Sequence, residues 1–142
     1  MDGLEVQQCL RERGIALPII LITAYGDIPT CVKAFKMGAF DFLEKPLDDA
    51  ILLDSVRKAL VRDSEQKLQD EFAHHMTLLT PVEKEVFDQI ISGMDLKAIA
   101  TDRKVSVQTV WRHRLAVFAK MGVKDDVALV RLATQLRYEP RQ

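Results

Sequence analysis

Residues 103–124 carry six basic side chains, Arg103, Lys104, Arg112, Arg114, Lys120 and Lys124, and no Asp or Glu. On a helical wheel Gln108, Arg112 and Leu115 fall together, opposite Val110, Val117 and Met121. An arginine fork matches the two acceptors of a guanine edge, a glutamine amide matches adenine, and Leu115 suits a thymine methyl. Thr109, His113, Lys120 and, further upstream, Lys97 are placed for phosphates, which position a protein on a duplex without reading its sequence. An acid-free helix face binds such a polyanion by releasing its condensed counterions. A solvated surface explains any single Lys; it does not explain the whole constellation. Trp111 shares a flank with Phe118, where packing, a dimer contact and a DNA contact all stay open.

The elements that must hold this helix are legible nearby. Thr80-Pro81-Val82-Glu83 forms a capping box with proline in the first helical position, and Gly93 ends the helix it opens. Asp95 caps the next helix, the chain turns within residues 103–106, and Ser106 caps a long helix that runs to Met121 and stops at Gly122. Asp125 or Asp126 starts a last helix. Two helices joined by a tight turn, with small Ala100 at the crossing, make a helix-turn-helix whose second helix, 107–121, enters the major groove. Ala100, Val105, Val110 and Leu115 fall at five-residue intervals, where such units place key apolar side chains.

The first sixty or so residues read differently. A β-branched run at 18–23 and a second at 40–44 suit parallel strands. Between them lies a helix capped by Asp27, with Pro29 in its first turn and Gly38 as its stop. Asp48 or Asp49 caps a further helix with Leu52, Val56, Ala59 and Leu60 as apolar positions. Residues 63–76 are polar, with Leu68, Phe72 and Met76 spaced by four, and read as a helical extension. His74-His75 sits there without ligand-spaced partners and reads as a solvated helix end.

The formal net charge of −1 hides an asymmetry. Residues 1–62 hold eight Lys/Arg against nine Asp/Glu, 63–76 one against four, and 77–142 eleven against eight. Positive charge gathers where a nucleic-acid site needs it. The longest apolar run, 15–22, is interrupted by Pro18 and too short for a bilayer, so no membrane association is expected. Cys9 and Cys31 lack metal-type spacing, which suits a reduced cytoplasmic chain. No nucleophile–base pair or phosphate-cradling loop appears, so neither an enzyme nor a cofactor or metal site is expected.

Residues 79–133 resemble the DNA-binding domain of LuxR-type transcription factors. The resemblance rests on residues 79–86, Gly93, Lys97, Ile99-Ala100, Ser106, Thr109-Val110, His113 and residues 120–123. It implies a four-helix unit whose last helix, here Asp126–Ala133, pairs two subunits on DNA. Lys104 stands where that family often has glycine, so a left-handed backbone there is strained. Ala98 replaces a usual Glu, Leu96 a usual Asn, and Trp111 a common Lys or Glu.

Residues 1–62 resemble the second half of a response-regulator receiver domain of the FixJ-like group, on residues 1–5, 22–27 and 41–46. The resemblance gives Thr23 and Lys45 the phosphoryl-binding roles, Phe42 the aromatic switch, and Lys45–Pro46 a cis peptide. The acceptor Asp and the acidic metal-binding pair of receivers fall outside this sequence, which reads as truncated within that domain. No phosphorylation of these residues is therefore expected. The strand at 19–22 should present an unpaired apolar edge.

The expected fold is mainly α with a small α/β part. A doubly wound receiver remnant with two parallel strands (1–62) joins through a helical linker (63–76) to a LuxR-type helix-turn-helix domain (77–138). The expected function is a bacterial, cytoplasmic, sequence-specific transcriptional regulator. Its partners are double-stranded promoter or operator DNA, a second copy, and RNA polymerase as a further candidate, with a cognate histidine kinase only for a full-length form. The alternative is a dimerising interaction module that modulates an intact homologue. A sigma-like role is disfavoured by the match at 80–86 and 120–123.

Overall fold

A computed structural model of the chain describes residues 1–140. The described elements run α1 (Gly3–Glu12), β1 (Ile20–Thr23), α2 (Ile28–Lys36), β2 (Asp41–Glu44), α3 (Asp49–Thr77), α4 (Pro81–Ile91), α5 (Leu96–Arg103), α6 (Val107–Met121) and α7 (Asp126–Gln135). They divide into two compact units, 1–67 and 68–142. The boundary falls inside α3, so the stretch read as a linker belongs to one unbroken 29-residue helix.

In the first unit β1 and β2 pair in parallel, with Ile20 opposite Asp41 and Thr23 opposite Glu44. Asp2 and Glu5 close a capping box at α1, and Asp27 caps α2 through the Thr30 amide. Asp48, rather than Asp49, caps α3 by accepting from the amides of Ala50 and Ile51. Gln7 donates to the Ala34 carbonyl at 3.1 Å and Ser55 to Asp41 at 2.7 Å, tying α1 to α2 and α3 to β2. The Lys45–Pro46 peptide is cis.

This unit has almost no apolar interior. Its buried residues are Ala34, Ala39 and Ala59 with Gln7 and Ser55, and no apolar side chain larger than alanine is among them. Val56 and Leu60, read as core positions of α3, are exposed, and so is Ile22 on β1. The two-stranded sheet leaves the outer edge of β1 without a neighbouring strand among the described residues. Burial of large side chains is the main stabilising term in a fold, so the unit is marginal as it stands.

The second unit is built conventionally. Phe87, Ile99, Leu129, Val86, Val110 and Val117 are fully buried, and Leu79, Ile90, Ala100, Phe118, Met121 and Ala133 complete the core. Phe72 and Met76 of α3 pack against that core. Phe72, Phe87 and Tyr138 form a triangle of rings with centroids 5.3–6.3 Å apart, and the Tyr138 hydroxyl donates to Asp88 at 2.8 Å. Such edge and tilted contacts each add about 0.5–1.5 kcal/mol beyond area burial.

Candidate nucleic-acid interface

Helix α6 is fixed from below and at both ends. Val110, Val117, Phe118 and Met121 face the core, as the helical period requires. Ser106 caps the start, accepting from the Thr109 amide at 3.1 Å, and its hydroxyl also meets that of Thr109. At the far end Gly122 takes a left-handed conformation (φ 68°), and the Val123 amide bonds back to the Phe118 carbonyl.

The end of α5 uses the same device with a costlier residue. Lys104 sits at φ 56° and ψ 44°, and the Val105 amide reaches back to the Ala100 carbonyl. This is the left-handed cap that usually falls to glycine. A β-carbon there costs about 1–2 kcal/mol. The turn between α5 and α6 is thus three residues, 104–106, and it sets α6 across the end of α5.

Of the four apolar positions at five-residue spacing, Ala100 and Val110 are buried but Val105 and Leu115 are exposed. The spacing marks the turn more faithfully than it marks the core. Val105 lies in the turn itself, and Leu115 is on the outward face of α6.

That outward face carries Gln108, Arg112 and Leu115, all exposed, with Leu115 at 42% and Trp111 beside it at 48%. Phe118, expected on the same flank as Trp111, is instead buried, with the Arg114 guanidinium 5.0 Å over its ring. Thr109 and His113 are half-buried on the other flank, and Lys97 is exposed on α5.

The basic run is acid-free in sequence but not in space. Arg103 pairs with Glu85 of α4, Arg114 with Asp126 of α7, and Lys120 with Glu83 of α4. The Arg114–Asp126 pair is two-pronged, at 2.9 and 2.7 Å, and joins α6 to the start of α7. Lys120, assigned to phosphate from the sequence, is half-buried and engaged with Glu83 instead. Its charge therefore serves the interior first. Lys104, Arg112 and Lys124 remain exposed, and no acid partner meets them among the described residues. Lys104 and Lys124 were missed as site residues in the sequence. Each lies just outside an end of α6, a position that periodicity along the helix does not weigh.

Glu83 itself is buried. Burial pushes its carboxyl up, but the Lys120 hydrogen bond, the Thr80 amide and the Lys120 charge outweigh this and hold it below the ordinary carboxylate range.

In the first unit Thr23 and Lys45 lie at the C-terminal ends of adjacent strands, the edge at which parallel sheets bind ligands. The Thr23 hydroxyl is occupied locally, accepting from the Tyr25 amide and donating to the Tyr25 carbonyl. Phe42 is half-buried in β2 opposite Leu21. The residues present do not fit the divalent ion of a receiver: no three His, Cys, Asp or Glu side chains gather to hold one among the described residues. No helix among them is long and apolar enough to cross a membrane.

Two family descriptions match this chain: the response regulator receiver domain over residues 1–57, and the luxR family of bacterial regulatory proteins over residues 77–133. The transcriptional regulatory protein TdiR of Thauera aromatica is 41% identical over 129 residues, 88% of this chain and 57% of TdiR. The transcriptional regulatory protein FixJ of Azorhizobium caulinodans is 38% identical over 137 residues, 94% of this chain and 65% of FixJ. The chain thus spans roughly three fifths of these curated relatives. Among solved structures, the response regulator StyR superposes with a TM-score of 0.57 at 34% identity, covering 95% of this chain and 70% of StyR.

Proposed function

Because the chain belongs to the response regulators that carry a LuxR-type helix-turn-helix domain, we propose that it is a sequence-specific DNA-binding regulator of transcription. In this reading α6 lies in the major groove. Arg112 and Gln108 meet base edges, and Leu115 contacts a thymine methyl. Thr109, His113 and Lys97 contact phosphates along with Lys104 and Lys124, which bracket α6. Lys120 contributes mainly through Glu83. Two copies engage the two halves of a site, paired through α7. The receiver remnant, the helical stretch 63–76 and the DNA-binding part 77–138 act in that order along the chain. RNA polymerase is a further partner, and a histidine kinase is one only for a form carrying the acceptor aspartate.

The observation that carries this reading is the outward face of α6. It presents Gln108 and Arg112 to solvent on a helix without a single acid, while each acid near it is already paired. Repeated selection from random duplexes at low salt tests it. The reading expects one enriched motif, bound with an affinity that falls linearly in log salt by roughly 0.9 per phosphate engaged.

A second reading has its own support in the first unit, whose large apolar side chains lack an interior. There the chain acts as an interaction module that pairs with an intact homologue and modulates it. Absence of any enriched duplex, together with co-elution with a full-length homologous regulator, favours this second reading.

A further inference from the structure

Helix α6 carries two rows on its outer side. One is polar, Gln108 and Arg112. The other is apolar: Val107, Trp111 and Leu115, spaced four apart and exposed at 43%, 48% and 42%. None of the three belongs to the core, which α6 supplies through Val110, Val117, Phe118 and Met121. A row of large apolar side chains left in water is costly unless something covers it. Its surroundings say what: the segment 103–124 holds no acid, and the exposed Arg112 lies in the adjacent row. Charge complementarity favours a polyanion with apolar groups on its surface. B-DNA displays one such group in its major groove, the C5-methyl of thymine.

Resting on the DNA-binding reading above, we propose that Val107, Trp111 and Leu115 form a thymine-methyl reader beside the polar base readers, with Trp111 the main specificity determinant. The row extends along about 12 Å of helix, which matches roughly three to four base pairs. The preferred half-site therefore contains consecutive thymines, on either strand, next to the pair read by Arg112. Trp111 suits this role because its broad ring covers methyl groups with only two side-chain torsions to fix.

The test replaces thymine with deoxyuridine, which removes the methyl and leaves Watson–Crick pairing intact. A site is first enriched from random duplexes with the full chain. Each thymine in it is then replaced singly, and affinity is measured for the parent and for the Trp111→Ala/Leu115→Ala double variant. The expected result is a roughly fourfold loss per covered methyl for the parent. In the double variant the thymine-to-uracil ratio falls toward one, while preference at the Arg112 base pair persists. Both truncated residues are exposed, so the core is untouched.

Equal affinity of the parent for thymine and uracil sites overturns the proposal while leaving DNA binding intact. An unchanged ratio in the double variant also overturns it, and a lowered oligomeric state in that variant would then place a second copy on the row. Failure to enrich any site overturns both this proposal and the reading on which it rests.

Discussion

Glu83 and Lys120 are joined through one oxygen. Glu83 Oε1 accepts from the Thr80 amide at 3.0 Å, closing the capping box of α4, and the same oxygen accepts from Lys120 Nζ near the end of α6. The cap of the first helix in the unit and the last turn of the recognition helix are therefore one structure. Removing Lys120 leaves a buried carboxylate with only its cap. Lys120→Ala should destabilise the DNA-binding unit by about 1–3 kcal/mol, discounted for the partial exposure of the lysine. Denaturant unfolding monitored by circular dichroism checks this.

The same pair sets an acid limit. The folded Glu83 carboxyl titrates below its ordinary value of 4.5. Its contribution is thus fully present above that value and is lost as pH falls through the lower, folded one. Unfolding free energy measured against pH should drop more steeply below about 4.5 in the parent than in Glu83→Gln. Parallel curves for the two proteins would show that the pair adds nothing.

Lys104 has two effects of opposite sign. Lys104→Gly relieves a left-handed β-carbon but loosens the unfolded chain, a net gain of about 0.5–1 kcal/mol in stability. It also deletes a phosphate contact, so the slope of log affinity against log salt should shrink by roughly 0.9. Higher melting temperature with weaker, less salt-sensitive DNA binding is the expected combination.

The two units should differ in how often they open. Amides of α4, α6 and α7 rest on a core of large side chains, whereas those of β1, β2 and α2 rest on alanines. Hydrogen exchange should be faster throughout 1–67 than in 79–133, with protection in the latter approaching the global unfolding limit.

A small phosphodonor with Mg²⁺ should leave the intact mass of the chain unchanged, since Thr23 and Lys45 flank no acidic cluster among the described residues. A gain of one phosphoryl group on an aspartate would contradict this.

Much of this architecture was legible because local chemistry wrote it. Thr80, Asp95 and Ser106 announce helix starts, and Gly93 and Gly122 announce helix ends, through rules that act within one turn. The core face of α6 followed from its period alone. What stayed hidden depended on distance. Glu83, Glu85 and Asp126 lie 37, 18 and 12 residues from the cations they meet, so the run looked freer for DNA than it is. The exposure of Val56 and Leu60 was hidden for a related reason. Periodicity shows that a helix has an apolar side, but it does not show what covers that side.

The central claim is that α6 reads bases through Arg112. Fluorescence anisotropy on the enriched duplex and on its single-base-pair variants, for the parent and Arg112→Ala, tests it most directly. The account predicts that Arg112→Ala loses about 1–3 kcal/mol on the best site and becomes indifferent at one base pair, while discrimination elsewhere is kept. Equal losses on every sequence, or no loss at all, would contradict it.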